Sequence, residues 1–109
     1  MLESLSLEGK SVVITGGGTG LGRAMVRDMA RAGANLMIAG RRSGPIEEAA
    51  AEAESLGVKA FSEATDVTDS AQVAALMKAC MDRFGKIDVL LNNAGAVSDN
   101  VRKPIWELT

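Results

Sequence analysis

The chain has no histidine and no tyrosine. Without imidazole there is no histidine acid/base, no Ser-His triad and no two-histidine zinc site. A tyrosine-based mechanism is excluded from these 109 residues in the same way. Cysteine appears once, at Cys80, so no internal disulfide can form, which agrees with a reducing, cytoplasmic setting. With no histidine to activate it, Cys80 reads as a small apolar residue on a helix face rather than a nucleophile. No apolar run approaches the ~18 residues of a membrane span, and Met1 to Lys10 shows no apolar signal-peptide core. The net charge of −2 supplies no basic field for nucleic acid or an anionic membrane.

What is present favours one globular unit. Hydrophobic residues make up 47%, too many for a disordered chain, and 109 residues suffice for a small core. The pattern alternates. Ser11 to Thr15 reads as a strand, followed by Leu21, Ala24, Met25, Val26, Met29 and Ala32 at helical spacing until Gly33. Asn35 to Ala39 reads as a second strand. A helix follows with Ser43 as N-cap, Pro45 just inside, and Ile46, Ala49, Ala50, Ala53 and Leu56 on its buried face, ending at Gly57. Val58 to Ala64 reads as a third strand. The next helix starts at Asp69, with Gln72 as the reciprocal member of a capping box, carries Val73, Leu76, Met77, Cys80 and Phe84 as its stripe, and ends at Gly85. Ile87 to Leu91 is a short apolar fourth strand, with Asn92-Asn93-Ala94-Gly95 as the loop behind it. Strands alternating with helices predict right-handed crossovers and a parallel sheet. The fold class is α/β, a Rossmann-type doubly wound sheet in the order 3-2-1-4, with its ligand crevice beyond the strand C-termini at the switch point.

The stretch at that point is Thr15-Gly16-Gly17-Gly18-Thr19-Gly20-Leu21-Gly22. A glycine-rich turn opening a helix presents bare N–H groups and the positive helix end to an anion. It is not a P-loop, because Arg23-Ala24 stands where Lys-Ser/Thr is needed, and Gly9-Lys10-Ser11 precedes the strand. Nor does Gly-x-Gly-x-x-Gly fit from Gly16, Gly18 or Gly20. Thr-Gly-x-x-x-Gly-x-Gly does, as Thr15, Gly16, Gly20 and Gly22. The second strand ends in Gly40-Arg41-Arg42, with no acid between Gly33 and Glu47. An acid there suits a free ribose 2′-OH and an arginine a 2′-phosphate; the alternative is a pair of solvated loop arginines. Asp66, three residues ahead of the Asp69 cap, is either a ligand contact or an Asx-turn residue.

With Asn92-Asn93-Ala94-Gly95 after the fourth strand and Gly9-Lys10 ahead of the first, the chain from Gly9 to Gly95 resembles the N-terminal half of short-chain dehydrogenases/reductases. The resemblance implies a nicotinamide dinucleotide held by Gly16, Gly18, Thr19, Gly20, Leu21 and Gly22. It places Asp66 and Val67 at the adenine and Asn93, Ala94 and Gly95 at the nicotinamide-side ribose. Arg41 and Arg42 point to NADP rather than NAD. The family's catalytic Asn, Ser and Tyr-x-x-x-Lys lie further along, so no catalytic residue maps onto this chain. Residues 1–109 are therefore expected to be the cofactor-binding part of a longer domain of roughly 200–250 residues. The complete protein is expected to be an NADP(H)-dependent oxidoreductase acting on a carbonyl, alcohol or enoyl substrate, and a homo-oligomer. The alternative is a truncated nucleotide-binding fragment or interaction module. An adenosylmethionine methyltransferase is disfavoured by the missing acid. With the edge of its fourth strand open and apolar, the isolated chain is expected to self-associate, to be partly disordered after Gly95, or both.

Overall fold

The computed structural model describes residues 6–93. Seven elements alternate: β1 (Ser11–Thr15), α1 (Gly20–Arg31), β2 (Asn35–Gly40), α2 (Ser43–Ser55), β3 (Ala60–Ala64), α3 (Ser70–Phe84) and β4 (Val89–Asn92). The sheet is wholly parallel, ordered β3-β2-β1-β4. The chain moves outward from β1 to β2 to β3, then crosses back to place β4 on the other side of β1. That reversal puts the C-terminal ends of β1 and β4 beside each other at the switch point.

Strand alternation sorts the core onto two faces. Val12 and Ile14 of β1 and Leu36 and Ile38 of β2 join Val26 and Ala30 of α1 and Ile46, Ala49 and Ala53 of α2. Val13, Met37 and Ala39 face the other way, against Leu76 and Cys80 of α3. Both faces of β1 and β2 are covered, which is why their sequences are continuously apolar rather than alternating. The alanines of α2 bring its backbone close to the sheet, with Ala49 and Ala53 fully buried. Cys80 is buried as expected, and burial followed by the nearby Asp88 raises its thiol pKa, so it is a packed, unreactive group.

Several local expectations change. Helix α2 starts at Ser43 with Arg42 in the N-cap position, so no side chain caps it. Asp69 does cap α3, accepting from the Ala71 and Gln72 amides. Gln72 does not close a capping box, because the Asp69 N–H donates to the Asp66 carbonyl at 3.0 Å. Instead Gln72 Oε1 accepts from the Asp66 N–H at 2.8 Å. Strand β3 begins at Ala60 rather than Val58, and β4 at Val89 rather than Ile87. Leu21 is 65% exposed and Leu56 38%, because the first opens α1 and the second closes α2, beyond the sheet they were expected to cover. Among the described residues β4 is an edge strand: Leu90 is 50% exposed, while Val89 and Leu91 pack against the main core.

Two arginines and one glutamate join α1 to α2. Arg23 Nε donates to Glu52 Oε1 at 2.8 Å and Arg27 Nε to Glu52 Oε2 at 2.6 Å. These contacts, Arg27 foremost, lower the Glu52 pKa. A depressed folded-state pKa contributes stability that is complete above the ordinary carboxylate value of about 4.3 and is lost as pH falls through the folded value. Glu52→Gln should therefore lower the urea midpoint at pH 7, and the gap from the unmodified protein should close as the pH falls below about 4. Equal midpoints at pH 7 would show that the clamp contributes nothing.

Candidate functional site

At the C-terminal end of β1 the chain turns through Gly16, in the left-handed region at φ 70°, and opens α1 at Gly20, φ 56°. Both conformations favour glycine. The turn is tied to β2 because the Gly16 and Gly17 amides both donate to the Ala39 carbonyl, at 2.8 and 3.2 Å. Gly22 is the tightest position. A Cβ there would lie 1.8 Å from the Gly16 carbonyl oxygen and 2.9 Å from Asn93 Nδ2. No other residue type lets the first turn of α1 sit on the loop that precedes it. Gly18 is required for a different reason from close ligand approach alone: its Cβ would meet Pro45 Cβ at 2.7 Å, so it lets α2 close against the turn. Gly17, which the spacing leaves unspecified, is buried with Ile38 Cγ2 2.7 Å from its virtual Cβ.

Thr19 is the N-cap of α1, yet its side chain makes no cap hydrogen bond, and no acidic residue occupies the first turn. The first-turn amides thus face the crevice with the helix dipole behind them and no carboxylate to compete. Leu21 stands exposed beside them.

The ends of the other strands attach to this turn. From β4, Asn93 Nδ2 donates to the Gly16 carbonyl at 3.3 Å, and the Asn93 N–H to Thr15 Oγ1 at 3.1 Å. The Thr15 hydroxyl in turn donates to Asn92 Oδ1 at 2.9 Å. Asn93 therefore braces the glycine turn from the β4 side; Thr15 is the matching element the sequence reading used only as a motif position. Ala94 and Gly95 lie outside the described residues.

From β2, Gly40, Arg41 and Arg42 lead into α2. Gly16, Gly18, Thr19, Gly40, Arg41, Arg42, Pro45 and Ile46 line one small cavity of about 110 Å³. It joins the glycine turn to both arginines. Pro45, expected only as a helix-start residue, and Ile46, expected only on the buried face of α2, also line it; nothing in their type marks them as lining. The adjoining N-terminus of α2 carries no acid in its first turn.

From β3, the Thr65 N–H donates to the Gly40 carbonyl at 2.8 Å, which sets the next residue, Asp66, beside Arg41. Arg41 Nη2 lies 3.6 Å from Asp66 Oδ1. The same oxygen accepts from the Thr68 N–H at 2.9 Å and the Thr68 hydroxyl at 2.6 Å. Asp66 is thus an Asx-turn residue in this state, and the Thr68 contacts, ahead of Arg41, lower its pKa. Asp66 and Val67 do not line the small cavity; Val67 is half-buried in the turn that follows β3.

A larger cavity of about 390 Å³ lies elsewhere, along the β3 edge between Ala50 and Glu54 of α2 and Ala79 and Arg83 of α3. It shares no residue with the glycine turn, and its Arg83 lies over the Phe61 ring, 4.3 Å from its centroid. Among the described residues no cluster of His, Cys, Asp and Glu has the makings of a metal site, and no helix is long and apolar enough to cross a membrane.

A parallel doubly wound sheet with a glycine-rich turn at its switch point defines a nucleotide-binding α/β domain. Residues 10–109 match the family model of short chain dehydrogenases, and the chain belongs to that family. It is 40% identical over 99 residues to hydroxysteroid dehydrogenase-like protein 2 of Xenopus tropicalis, covering 84% of this chain and 24% of that protein. A crystal structure of a hydroxysteroid dehydrogenase from Escherichia coli superimposes with a TM-score of 0.82 at 33% identity, over 87% of this chain and 40% of the other. A 3-ketoacyl-(acyl-carrier-protein) reductase from Brucella melitensis, complexed with NADH, gives 0.72 at 39% identity, over 78% and 34%. The chain thus spans less than half the length of these relatives, which are oxidoreductases.

Gly22→Ala should unseat α1 from the turn and abolish nucleotide binding, with a fall in Tm. Gly44→Ala, in α2 with open space around its virtual Cβ, should instead leave Tm unchanged or raise it. Thermal melts and nucleotide titrations of the two variants check this; a Gly22→Ala protein that binds normally would contradict the packing argument.

Proposed function

We propose that this chain is the NADP(H)-binding part of a short-chain dehydrogenase/reductase, and that the whole protein transfers hydride between nicotinamide and a carbonyl, alcohol or enoyl substrate. The observation that carries the reading is the small cavity that brings the glycine turn together with Arg41 and Arg42. The residues fit the cofactor. Bare amides at the α1 N-terminus suit a pyrophosphate, and the Gly16–Gly22 contact keeps side chains out of its way. Arg41 is 73% exposed, with its guanidinium reaching the end of β3, and no acid stands at the end of β2 to receive a ribose 2′-OH. A planar guanidinium there favours a 2′-phosphate.

When bound, the cofactor would donate or accept the hydride. The chain's own residues bind and orient it: Gly18 to Gly22 at the phosphates, Arg41 and Arg42 at the adenosine ribose, Asp66 and Val67 towards the adenine, and Asn93, Ala94 and Gly95 towards the nicotinamide-side ribose. The reductase from Brucella melitensis was solved with NADH, so the preference for the phosphorylated cofactor rests here on Arg41 and on the missing acid, not on the relatives. With no tyrosine or histidine among the 109 residues, these residues alone should bind nucleotide without turnover.

In calorimetric titrations, the protein carrying this chain should bind NADPH more tightly than NADH. Arg41→Ala should weaken NADPH binding about tenfold and leave NADH nearly unchanged, the loss of one charge-assisted contact. Equal affinities of the unmodified protein for the two cofactors would refute the assignment.

A further inference from the structure

The ion pair between Arg41 and Asp66 gives the site a second specificity element. We infer that Asp66 competes with the 2′-phosphate for Arg41, and so limits how strongly the site favours a 2′-phosphorylated nucleotide over its dephospho counterpart. This rests on the proposed role of Arg41.

Three observations carry it. Arg41 Nη2 stands 3.6 Å from Asp66 Oδ1, so the guanidinium proposed for the 2′-phosphate is already drawn to a carboxylate from the turn that follows β3. That carboxylate is held in place. The Asp66 backbone N–H is bound to Gln72, its carbonyl accepts from Asp69, and its Oδ1 accepts two bonds from Thr68. Finally, the link from Thr65 to the Gly40 carbonyl fixes β3's end against β2's, so Arg41 and Asp66 meet without a long search by either side chain. A 2′-phosphate must draw Arg41 away from this preorganised partner and tolerate the remaining negative charge. A nucleotide with a free 2′-OH meets neither penalty. The exchange is modest, because Arg41 is mostly exposed and exposed ion pairs are worth little.

The test compares adenosine 2′,5′-bisphosphate with adenosine 5′-monophosphate, which differ only in the 2′-phosphate. Their affinity ratio is measured by calorimetry for the unmodified protein, Asp66→Asn, Arg41→Ala and the double variant. Asp66→Asn keeps an oxygen for Thr68 and removes the charge. It should raise the ratio about two- to fivefold in favour of the bisphosphate, and the gain should vanish in the Arg41→Ala background. Asp66→Ser, whose hydroxyl sustains the same turn without charge, should give the same change if the asparagine variant folds poorly. An unchanged ratio in Asp66→Asn and Asp66→Ser, or an equal gain with Arg41 absent, overturns the inference. A ratio of one in the unmodified protein overturns the 2′-phosphate role of Arg41 itself, and is distinguishable because it shows before any mutation.

Discussion

The structure depends on the contact between the Gly16 carbonyl and the α-carbon of Gly22. A carbonyl oxygen occupies the place where any other residue at 22 would carry its Cβ, 1.8 Å away. That approach seats the first turn of α1 over the end of β1, and the rest of the site follows from it. Asn93 reaches the same carbonyl from β4. The Gly16 and Gly17 amides hold the turn to the end of β2. Gly18 lets Pro45 close against it, which brings the start of α2 and its two arginines to the same cavity. The ends of β2 and β4 and the start of α2 are thus fastened to one turn by backbone groups and short side chains, without a charged residue in the fastening.

Beneath the turn, the two sides of the sheet are unequal. The α1/α2 face holds the larger cluster and is clamped by Glu52 between Arg23 and Arg27. Among the described residues, the α3 face is covered by α3 alone, whose fully buried residues are Leu76 and Cys80. The Asp88 carboxylate, which accepts from the Ser11 N–H at 2.8 Å, fixes the opposite end of β1 to the segment leading into β4. The central strand is therefore pinned at both ends.

The layout was legible because each level pointed the same way. Apolar runs at β1 and β2, alanine-rich and mixed helical stripes, and glycines after each helix fixed the element order, and the glycine spacing marked the candidate site. What the sequence hid was side-chain partnership between residues far apart in the chain. Glu52 looks like any exposed glutamate until α2 lies against α1. Gln72 satisfies the spacing of a capping box, but the Asp66 carbonyl already takes the Asp69 amide, so Gln72 bonds Asp66 instead. Asp66 had two readings, turn residue or ligand contact. Its Thr68 bonds establish the first and leave it beside Arg41. Leu21 fitted the helical stripe by number, yet a residue in the opening turn of α1 lies past the strand ends, where there is no sheet to cover it.

The central claim is that the small cavity at the glycine turn, and not the larger one along the β3 edge, receives the nucleotide. Backbone amide shifts of the ¹⁵N-labelled protein during titration with NADPH test it most directly. The largest changes are predicted at Gly18, Thr19, Gly20, Leu21 and Gly22, with Arg41 and Arg42 next. Changes concentrated at Phe61, Ser62 and Arg83, with the glycine turn unmoved, would contradict the account.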